Sequence, residues 1–159
     1  MPRPAGASAE HVNLALCGGT EFDEAAPQPE YEARKDHFIH YQGVVCAGRH
    51  FIIDLFGASR LDELETMETA LRRAVELAGA TLLHIHLHHF DPNGGISGVA
   101  VLAESHISVH TWPENDYAAF DVFMCGDARP ELTVEVFEQA FGPERVGVRE
   151  LLRGVVADD

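Results

Sequence analysis

The stretch that decides the fold of this chain is Ala103-Glu104-Ser105-His106-Ile107-Ser108-Val109-His110-Thr111-Trp112-Pro113-Glu114. Its central part predicts a β-strand in which His106, Ser108 and His110 share one face, because successive side chains of a strand alternate. The stretch also holds the only tryptophan of the chain. Buried polar groups cost free energy unless they are partnered, so a run this rich in reactive groups indicates a site rather than a scaffold.

The elements around this stretch predict an α+β fold. Helices are expected at residues 60–78, with Ser59 as N-cap and Gly79 at the end, and at 131–141. Apolar runs predict strands at residues 51–56, 80–90, 96–103, 106–111, 117–124 and 146–151. This order favours a two-layer α/β sandwich, an antiparallel sheet with both helices on one face. Several strands are apolar on both faces, so we expect a second copy to cover the other face.

The chain divides into two parts by composition. Residues 1–30 are rich in Ala, Gly, Pro and Glu and have no sustained periodicity, while residues 31–45 could pack onto the domain. We therefore predict a partly flexible N-terminal extension, 1–45, and one domain, 46–159. Hydrophobic residues make up 46% of the chain, an ordinary value for a globular protein with a core.

The net charge of −15 disfavours nucleic acids and anionic membranes as partners, because both are polyanions. The charge suits a small cationic substrate, although acidity also serves solubility alone. The three cysteines cannot all pair within one chain. The sequence opens with no basic-then-apolar leader and has no apolar run near the roughly 20 residues of a membrane span. We expect a reduced, cytoplasmic protein.

The motifs resemble those of the small prokaryotic S-adenosylmethionine decarboxylases. The resemblance rests on the stretch from Glu104 to Glu114, then on Tyr117-Ala118-Ala119-Phe120-Asp121-Val122-Phe123-Met124-Cys125-Gly126, and upstream on Gly94-Gly95-Ile96-Ser97-Gly98 and Gly48-Arg49-His50. It covers about residues 46 to 153. These enzymes are proenzymes that cleave themselves and carry a covalent pyruvoyl group made from an internal serine. The resemblance implies decarboxylated S-adenosylmethionine as product, the aminopropyl donor of spermidine synthesis.

The resemblance also implies roles for individual residues. Cleavage would fall between Glu104 and Ser105, and Ser105 would become the pyruvoyl group that forms a Schiff base with the substrate. His110 matches the proton acceptor of processing, and Ser97 matches a second processing residue near the scissile carbonyl. Cys125 matches the proton donor of decarboxylation. Taken alone, Ser97 is more typical of a small turn residue and Cys125 of a packed residue at a strand end.

The resemblance further assigns Phe90 to stacking on the adenine ring and Glu114 to the substrate pocket, with Trp112 as a packing residue. Family members form dimers whose active sites draw on both protomers, so a homodimer of cleaved protomers is implied. Some positions depart from the family pattern: Asp54, Asn115-Asp116, Met124, and one extra residue between Phe90 and Ser97. These departures leave a cationic amino acid, arginine or ornithine, as the alternative substrate.

Three other interpretations of the sequence compete with a decarboxylase: a metal-binding protein, a regulatory relative and a serine hydrolase. His84, His86 and His88 share one face of a strand, with His89 opposite, and clustered imidazoles can bind metal. Their spacing of about 6.6 Å along a single strand argues against a site, so we predict no metal. A non-catalytic regulatory relative is disfavoured because Ser105, His110 and Cys125 are all present. A serine hydrolase is disfavoured because Ser105 lacks a glycine-flanked elbow.

Overall fold

The structure, a computed structural model, describes residues 38–156. Strands β1 to β8 and helices α1 and α2 are numbered in chain order. They are β1 (Ile39–Tyr41), β2 (Val44–Cys46), β3 (Gly48–Phe56), α1 (Leu64–Ala78), β4 (Leu82–His89), β5 (Ile96–Leu102), β6 (Ser105–Trp112), β7 (Tyr117–Met124), α2 (Leu132–Phe141) and β8 (Arg145–Arg153). A 3-10 turn, Pro113–Asn115, joins β6 to β7.

Six of the strands form one antiparallel sheet in the order β4-β5-β6-β7-β3-β8. Both helices pack against one face of this sheet. Every second residue of a strand points to that face, as Phe51, Ile53 and Leu55 do on β3. The other face carries no helix within residues 38–156, and we call it the open face. The predicted α+β sandwich, with an antiparallel sheet and helices on one face, is confirmed.

The core lies between the helices and the sheet. Helix α1 buries Met67, Leu71 and Val75, which recur at steps of four residues. From α2, the ring of Phe137 stacks on Phe120 of β7 with centroids 4.1 Å apart and an interplanar angle of 15°. Each such ring removed from water contributes about 1.5–3 kcal/mol. This layer holds β6 and β7 in place at the centre of the sheet.

Helix α1 begins at Leu64 rather than at residue 60, and the prediction that Ser59 caps it was wrong. Arg60 takes a left-handed conformation, with φ of 59°, which no helix start contains. The hydroxyl of Ser59 instead donates to the carbonyl of Phe141, 3.1 Å away at the end of α2. A terminal helix carbonyl lacks an intrahelical partner and therefore attracts this donor. Gly79 ends α1 as predicted, with φ of 73°.

The described part of the N-terminal extension forms the hairpin β1–β2, and Val45 bridges to Val156 beyond β8. The guanidinium of Arg49 lies over the ring of Tyr41, 4.3 Å from its centroid, and thereby contacts this hairpin. The predicted flexibility of residues 1–37 lies outside the described residues. Among residues 38–156 no helix is long and apolar enough to span a membrane.

The Phe120–Phe137 stack generates a stability prediction. Phe137→Ala should lower the free energy of unfolding by about 3–5 kcal/mol, because it removes a fully buried ring and leaves a cavity. Glu138→Ala, at an exposed position of the same helix, should change it by less than about 0.5 kcal/mol. Urea unfolding followed by circular dichroism measures both. Equal effects of the two variants would contradict this description of the core.

Candidate active site

The candidate site is built on the tight turn between β5 and β6. Leu102 pairs with Ser105, so Ala103 and Glu104 alone make the turn. Glu104 has φ of 64°, a left-handed conformation that costs a residue with a Cβ about 1–2 kcal/mol. The Glu104–Ser105 peptide, at which the resemblance implies cleavage, therefore begins with a strained residue.

Cys125 holds this peptide from the end of the neighbouring strand. Its backbone amide donates to the hydroxyl oxygen of Ser105 at 3.3 Å, and its thiol lies 3.6 Å from the same oxygen. The thiol also donates to the carbonyl oxygen of Glu104 at 3.2 Å. The antiparallel register of β6 and β7 causes this meeting, since His106 pairs with Phe123 and places Ser105 beside the end of β7.

This arrangement can stabilise nucleophilic attack on the carbonyl carbon of Glu104. A donor on the carbonyl oxygen stabilises the negative charge that develops there when a nucleophile attacks its carbon. The Ser105 hydroxyl is the nucleophile next to that carbon in the chain. Ser105 is 8% exposed, so little water competes at its oxygen. Glu104, Ser105 and Cys125 therefore lie together within one chain.

Ser97 and His110 form a second pair elsewhere on the sheet. They lie opposite each other on β5 and β6, and the hydroxyl of Ser97 is 2.8 Å from Nδ1 of His110. Both face the open side, where the imidazole of His110 is exposed. A hydrogen-bonded hydroxyl and imidazole can accept and relay a proton.

The structure does not bring this pair to Ser105 within one chain. His110 lies five residues along β6 from Ser105, about 16 Å at the rise of a strand. The register of β6 with both neighbours is regular, so no bulge shortens this distance. Near the Glu104 carbonyl, where the resemblance places Ser97, this chain supplies Cys125 instead.

The predicted substrate residues lie beyond the Ser97–His110 pair, at the same end of the sheet. Phe90 follows β4 and is 46% exposed, with its ring 4.5 Å from the ring of His88. Glu114 is exposed in the 3-10 turn. Trp112 is 40% exposed and lies 6.2 Å from the His110 ring, so it lines this surface and is not enclosed by packing.

Sequence reasoning missed a set of polar contacts on the open face. The hydroxyl of Tyr117 donates to Asp54 at 2.6 Å, and this bond, with burial, raises the pKa of Tyr117 to about 12. Nε2 of His50 lies 3.3 Å from a carboxylate oxygen of Asp121. The available signal was that Asp54 and Asp121 interrupt apolar strands on the face opposite to the core.

His106 links this network to the candidate site. Burial lowers its pKa, and the nearby charges of His50 and Arg153 lower it further while Asp121 acts against them. The ring of Phe123 lies between the two histidines, 5.7 Å from His106 and 6.1 Å from His50. The imidazole next to Ser105 therefore stays uncharged more readily than a free histidine.

The described residues contain no group of three or more His, Cys, Asp or Glu side chains that could hold a metal ion. His84, His86 and His88 are spread along β4, one of the two edge strands of the six-stranded sheet. Cys46 is completely buried in the structure, whereas Cys125 is partly accessible.

These features define a class of protein: an α/β sandwich with an open sheet face, whose serine and cysteine meet at a hairpin turn. A family profile described as S-adenosylmethionine decarboxylase matches residues 49–154. S-adenosylmethionine decarboxylase proenzymes of Thermomicrobium roseum and Methanococcus maripaludis are 44% and 46% identical, each over 70% of this chain and over 97% and 93% of their own lengths.

A solved structure agrees with the sequence matches. The crystal structure of the adenosylmethionine decarboxylase of Aquifex aeolicus superposes with a TM-score of 0.64 at 34% identity, over 70% of this chain and 94% of that one. The chain belongs to the S-adenosylmethionine decarboxylase family. The resemblance found in the motifs is confirmed.

The Tyr117–Asp54 bond generates a prediction about titration. Because the pKa of Tyr117 is raised in the folded chain, this bond stabilises the fold below pH 10 and is lost as the pH approaches 12. Asp54→Asn should return Tyr117 toward an ordinary pKa near 10, whereas Asp116→Asn should not. Ultraviolet absorbance of tyrosinate measures this. An unchanged titration curve in Asp54→Asn would contradict the assignment.

Proposed function

We propose that this chain is a self-cleaving, pyruvoyl-dependent S-adenosylmethionine decarboxylase. One observation carries the proposal: the Ser105 hydroxyl and the Cys125 thiol both lie at the Glu104–Ser105 peptide. A serine held against its own preceding carbonyl is what self-cleavage needs. The curated relatives, which are named as proenzymes of this decarboxylase, support the same reading.

Processing would begin with attack of the Ser105 oxygen on the carbonyl carbon of Glu104, which replaces the amide by an ester. Cys125 is placed to hold the negative charge on the carbonyl oxygen. Removal of the Ser105 α-proton then eliminates the Glu104 carboxylate and leaves dehydroalanine. This tautomerises to an imine, and one water hydrolyses the imine to the ketone and releases ammonia. The products are residues 1–104 and a pyruvoyl-ended chain from residue 105 to 159.

The residues at the turn fit this group, because Ser105 is both its source and nearly buried. The pyruvoyl group supplies an electrophilic carbonyl that acts as electron sink for the α-carbon of the substrate. Cys125 would hold the proton that the α-carbon receives after carbon dioxide leaves, acting as general acid.

The base for processing would come from a second copy of the chain. The Ser97–His110 pair lies about 16 Å from Ser105 in its own chain, so each chain carries two separated halves of one site. A symmetric dimer packed through the open face would place the Ser97–His110 pair of one copy near Ser105 of the other. Exposed apolar side chains on this face would be covered at the same time: Phe90, Val101, Trp112 and Leu151.

The substrate we propose is S-adenosylmethionine, a small cation that suits a chain with a net charge of −15. Its product would donate the aminopropyl group in spermidine synthesis, a cytoplasmic role. Glu114, exposed beside Trp112, would contact the substrate. Arginine and ornithine are the rival substrates, and the names of the curated relatives favour S-adenosylmethionine over both.

Release of labelled carbon dioxide tests the reaction and its substrate. Purified protein should release label from carboxyl-labelled S-adenosylmethionine and not from arginine or ornithine. Ser105→Ala should remain one uncleaved chain without activity, because it has no hydroxyl to form the ester. Cys125→Ala should cleave more slowly and lose about 100-fold in turnover, the contribution of a general acid. Cys17→Ala is the control. Normal turnover by Cys125→Ala would remove the thiol from the mechanism.

Coexpression of two inactive variants tests the shared site. Ser105→Ala keeps the Ser97–His110 pair, and His110→Ala keeps the Ser105–Cys125 pair. Neither should cleave alone at the normal rate, but together they should form mixed dimers in which the His110→Ala chain is cleaved. Distinct affinity tags identify the cleaved chain on a gel. Cleavage of His110→Ala alone at the wild-type rate, or no cleavage in purified mixed dimers, would contradict a site completed by the second copy.

A further inference from the structure

Imidazole side chains line one edge of the open face. His84, His86 and His88 are exposed on β4 and alternate with Ile85 and Leu87, which pack on the core. The ring of His88 contacts an aromatic ring at the end of the strand. The side chains of His84 and His86 make no hydrogen bond or ion pair with another residue of the range 38–156. These two imidazoles are therefore available as ligands.

An irregularity of β4 brings His84 to the open face. The register shifts between Leu82, which pairs with Leu102, and His84, which pairs with Val101. Without this shift, alternation would place Leu82 and His84 on the same face. The extra residue instead lets Leu82 pack against the core while His84 faces outward beside His86. The pair of adjacent outward imidazoles is thus a product of the bulge.

One strand alone offers only part of a metal site. Side chains on the same face of a strand are about 6.6 Å apart, so only two neighbouring imidazoles can lean toward one ion. This agrees with the described residues, which hold no group of three or more metal-ligating side chains. A structural zinc ion takes four protein ligands in a tetrahedron. The second pair of ligands would therefore come from another chain.

The dimer proposed above supplies that second pair by symmetry. A two-fold rotation that packs the two open faces together and exchanges the ends of the sheet has its axis in the interface, across the strands. Each strand then faces its own copy, which runs in the opposite direction. For Ser105 of one chain to meet His110 of the other, the axis has to cross β6 midway between these residues, beside Ser108.

The strand register carries this axis to β4. Ser108 pairs with Val99, and Val99 pairs with His86, so these three residues form one row across the sheet. The axis beside this row passes between His84 and His86, and these imidazoles of both copies lie closest to it. Facing sheets are rotated by about 30°, which displaces the two β4 strands by about 5 Å, less than the spacing of the pair.

The space and the ligand type determine which ion fits. Facing sheets lie about 10 Å apart, and Zn–N bonds are about 2.0–2.1 Å long, so an ion fits between two imidazoles that point at each other. Imidazole nitrogen suits zinc, copper and nickel, whereas magnesium and calcium prefer oxygen ligands. Because β4 is at the edge of the sheet, an ion can enter from solvent.

We propose that the dimer carries a zinc site between its two β4 strands, formed by His84 and His86 of both copies. This inference rests on the dimer of the proposed function. Four protein ligands leave no open position for a substrate, so the ion has a structural role. Zinc would bind only when the two copies face each other, and it therefore stabilises the arrangement that completes the site of Ser105 and His110.

Zinc titration of the purified, chelator-treated protein tests the site by its stoichiometry. Elemental analysis after gel filtration should find one zinc ion for every two chains. The dissociation constant of the dimer, measured by analytical ultracentrifugation, should fall about 100-fold at a zinc concentration about 100 times the Kd for zinc. Magnesium should have neither effect. One zinc ion per chain, or zinc binding that leaves dimerisation unchanged, would overturn the proposal.

Matched histidine variants separate this site from adventitious binding. His86→Ala removes two of the four ligands of the dimer and should abolish both the bound zinc and its effect on dimerisation. His84→Ala should do the same, so one variant that fails to fold leaves the proposal decidable. His40→Ala, at an exposed position of β1, is the control and should behave as wild type. Equal zinc binding by wild type and by a folded His84 or His86 variant would mean an adventitious ion only, and would refute the site.

Self-cleavage distinguishes a failure of this site from a failure of the proposed function. Cleaved protein that releases carbon dioxide, but whose dimers neither bind zinc at one ion per two chains nor respond to it, would refute the zinc site alone. Protein that forms zinc-dependent dimers through His84 and His86, but never cleaves or decarboxylates, would refute the proposed function and leave the zinc site standing.

Discussion

The hydrogen bonds from Cys125 to the Glu104–Ser105 peptide are the constraint on which the site depends. They exist because β6 starts where β7 ends, in a register set by eight alternating residues on each strand and by the core beneath them. The Phe120–Phe137 stack anchors β7 from below, and the two-residue turn leaves Glu104 in a strained conformation. Packing on the helix side thus places a hydroxyl, a thiol and the carbonyl of the strained Glu104 at one end of the sheet.

The candidate residues are divided between the two ends of the sheet. One end carries Ser105 and Cys125, and the other carries Ser97 and His110 with the exposed rings of Phe90 and Trp112. In the dimer proposed above, with the two copies in opposite orientation, each end would meet the half that it lacks. The Tyr117–Asp54 hydrogen bond satisfies polar groups that such a dimer would remove from water, whereas Nε2 of His50, 3.3 Å from Asp121, is buried without a hydrogen-bond partner among the described residues.

Much of the fold could be predicted from the sequence, since the apolar alternation and the glycines mark the strands and their ends. The strand at residues 117–124 agrees with β7, and Gly79 ends α1. The start of α1 could not be predicted, because Ser59 bonds to a carbonyl of α2, a partner distant in sequence. For the same reason the Tyr117–Asp54 pair was missed, since it joins strands that are neighbours only in the sheet.

The candidate site, like the fold, could be predicted from the sequence only in part. The resemblance to the decarboxylase family identified Ser105, Cys125, Ser97 and His110, but it could not show that they form two groups about 16 Å apart, which follows from the strand rise. Trp112 was predicted to pack, whereas its side chain is 40% exposed beside the rings of His110 and Tyr117.

Intact mass spectrometry of the purified protein tests the central claim most directly. We predict two chains, one ending at Glu104 and one beginning at residue 105, the second lighter by one ammonia than a serine-ended chain and reactive toward a hydrazide. A single unbroken chain in protein that releases carbon dioxide, or a second chain that retains a free serine amine, would contradict the claim.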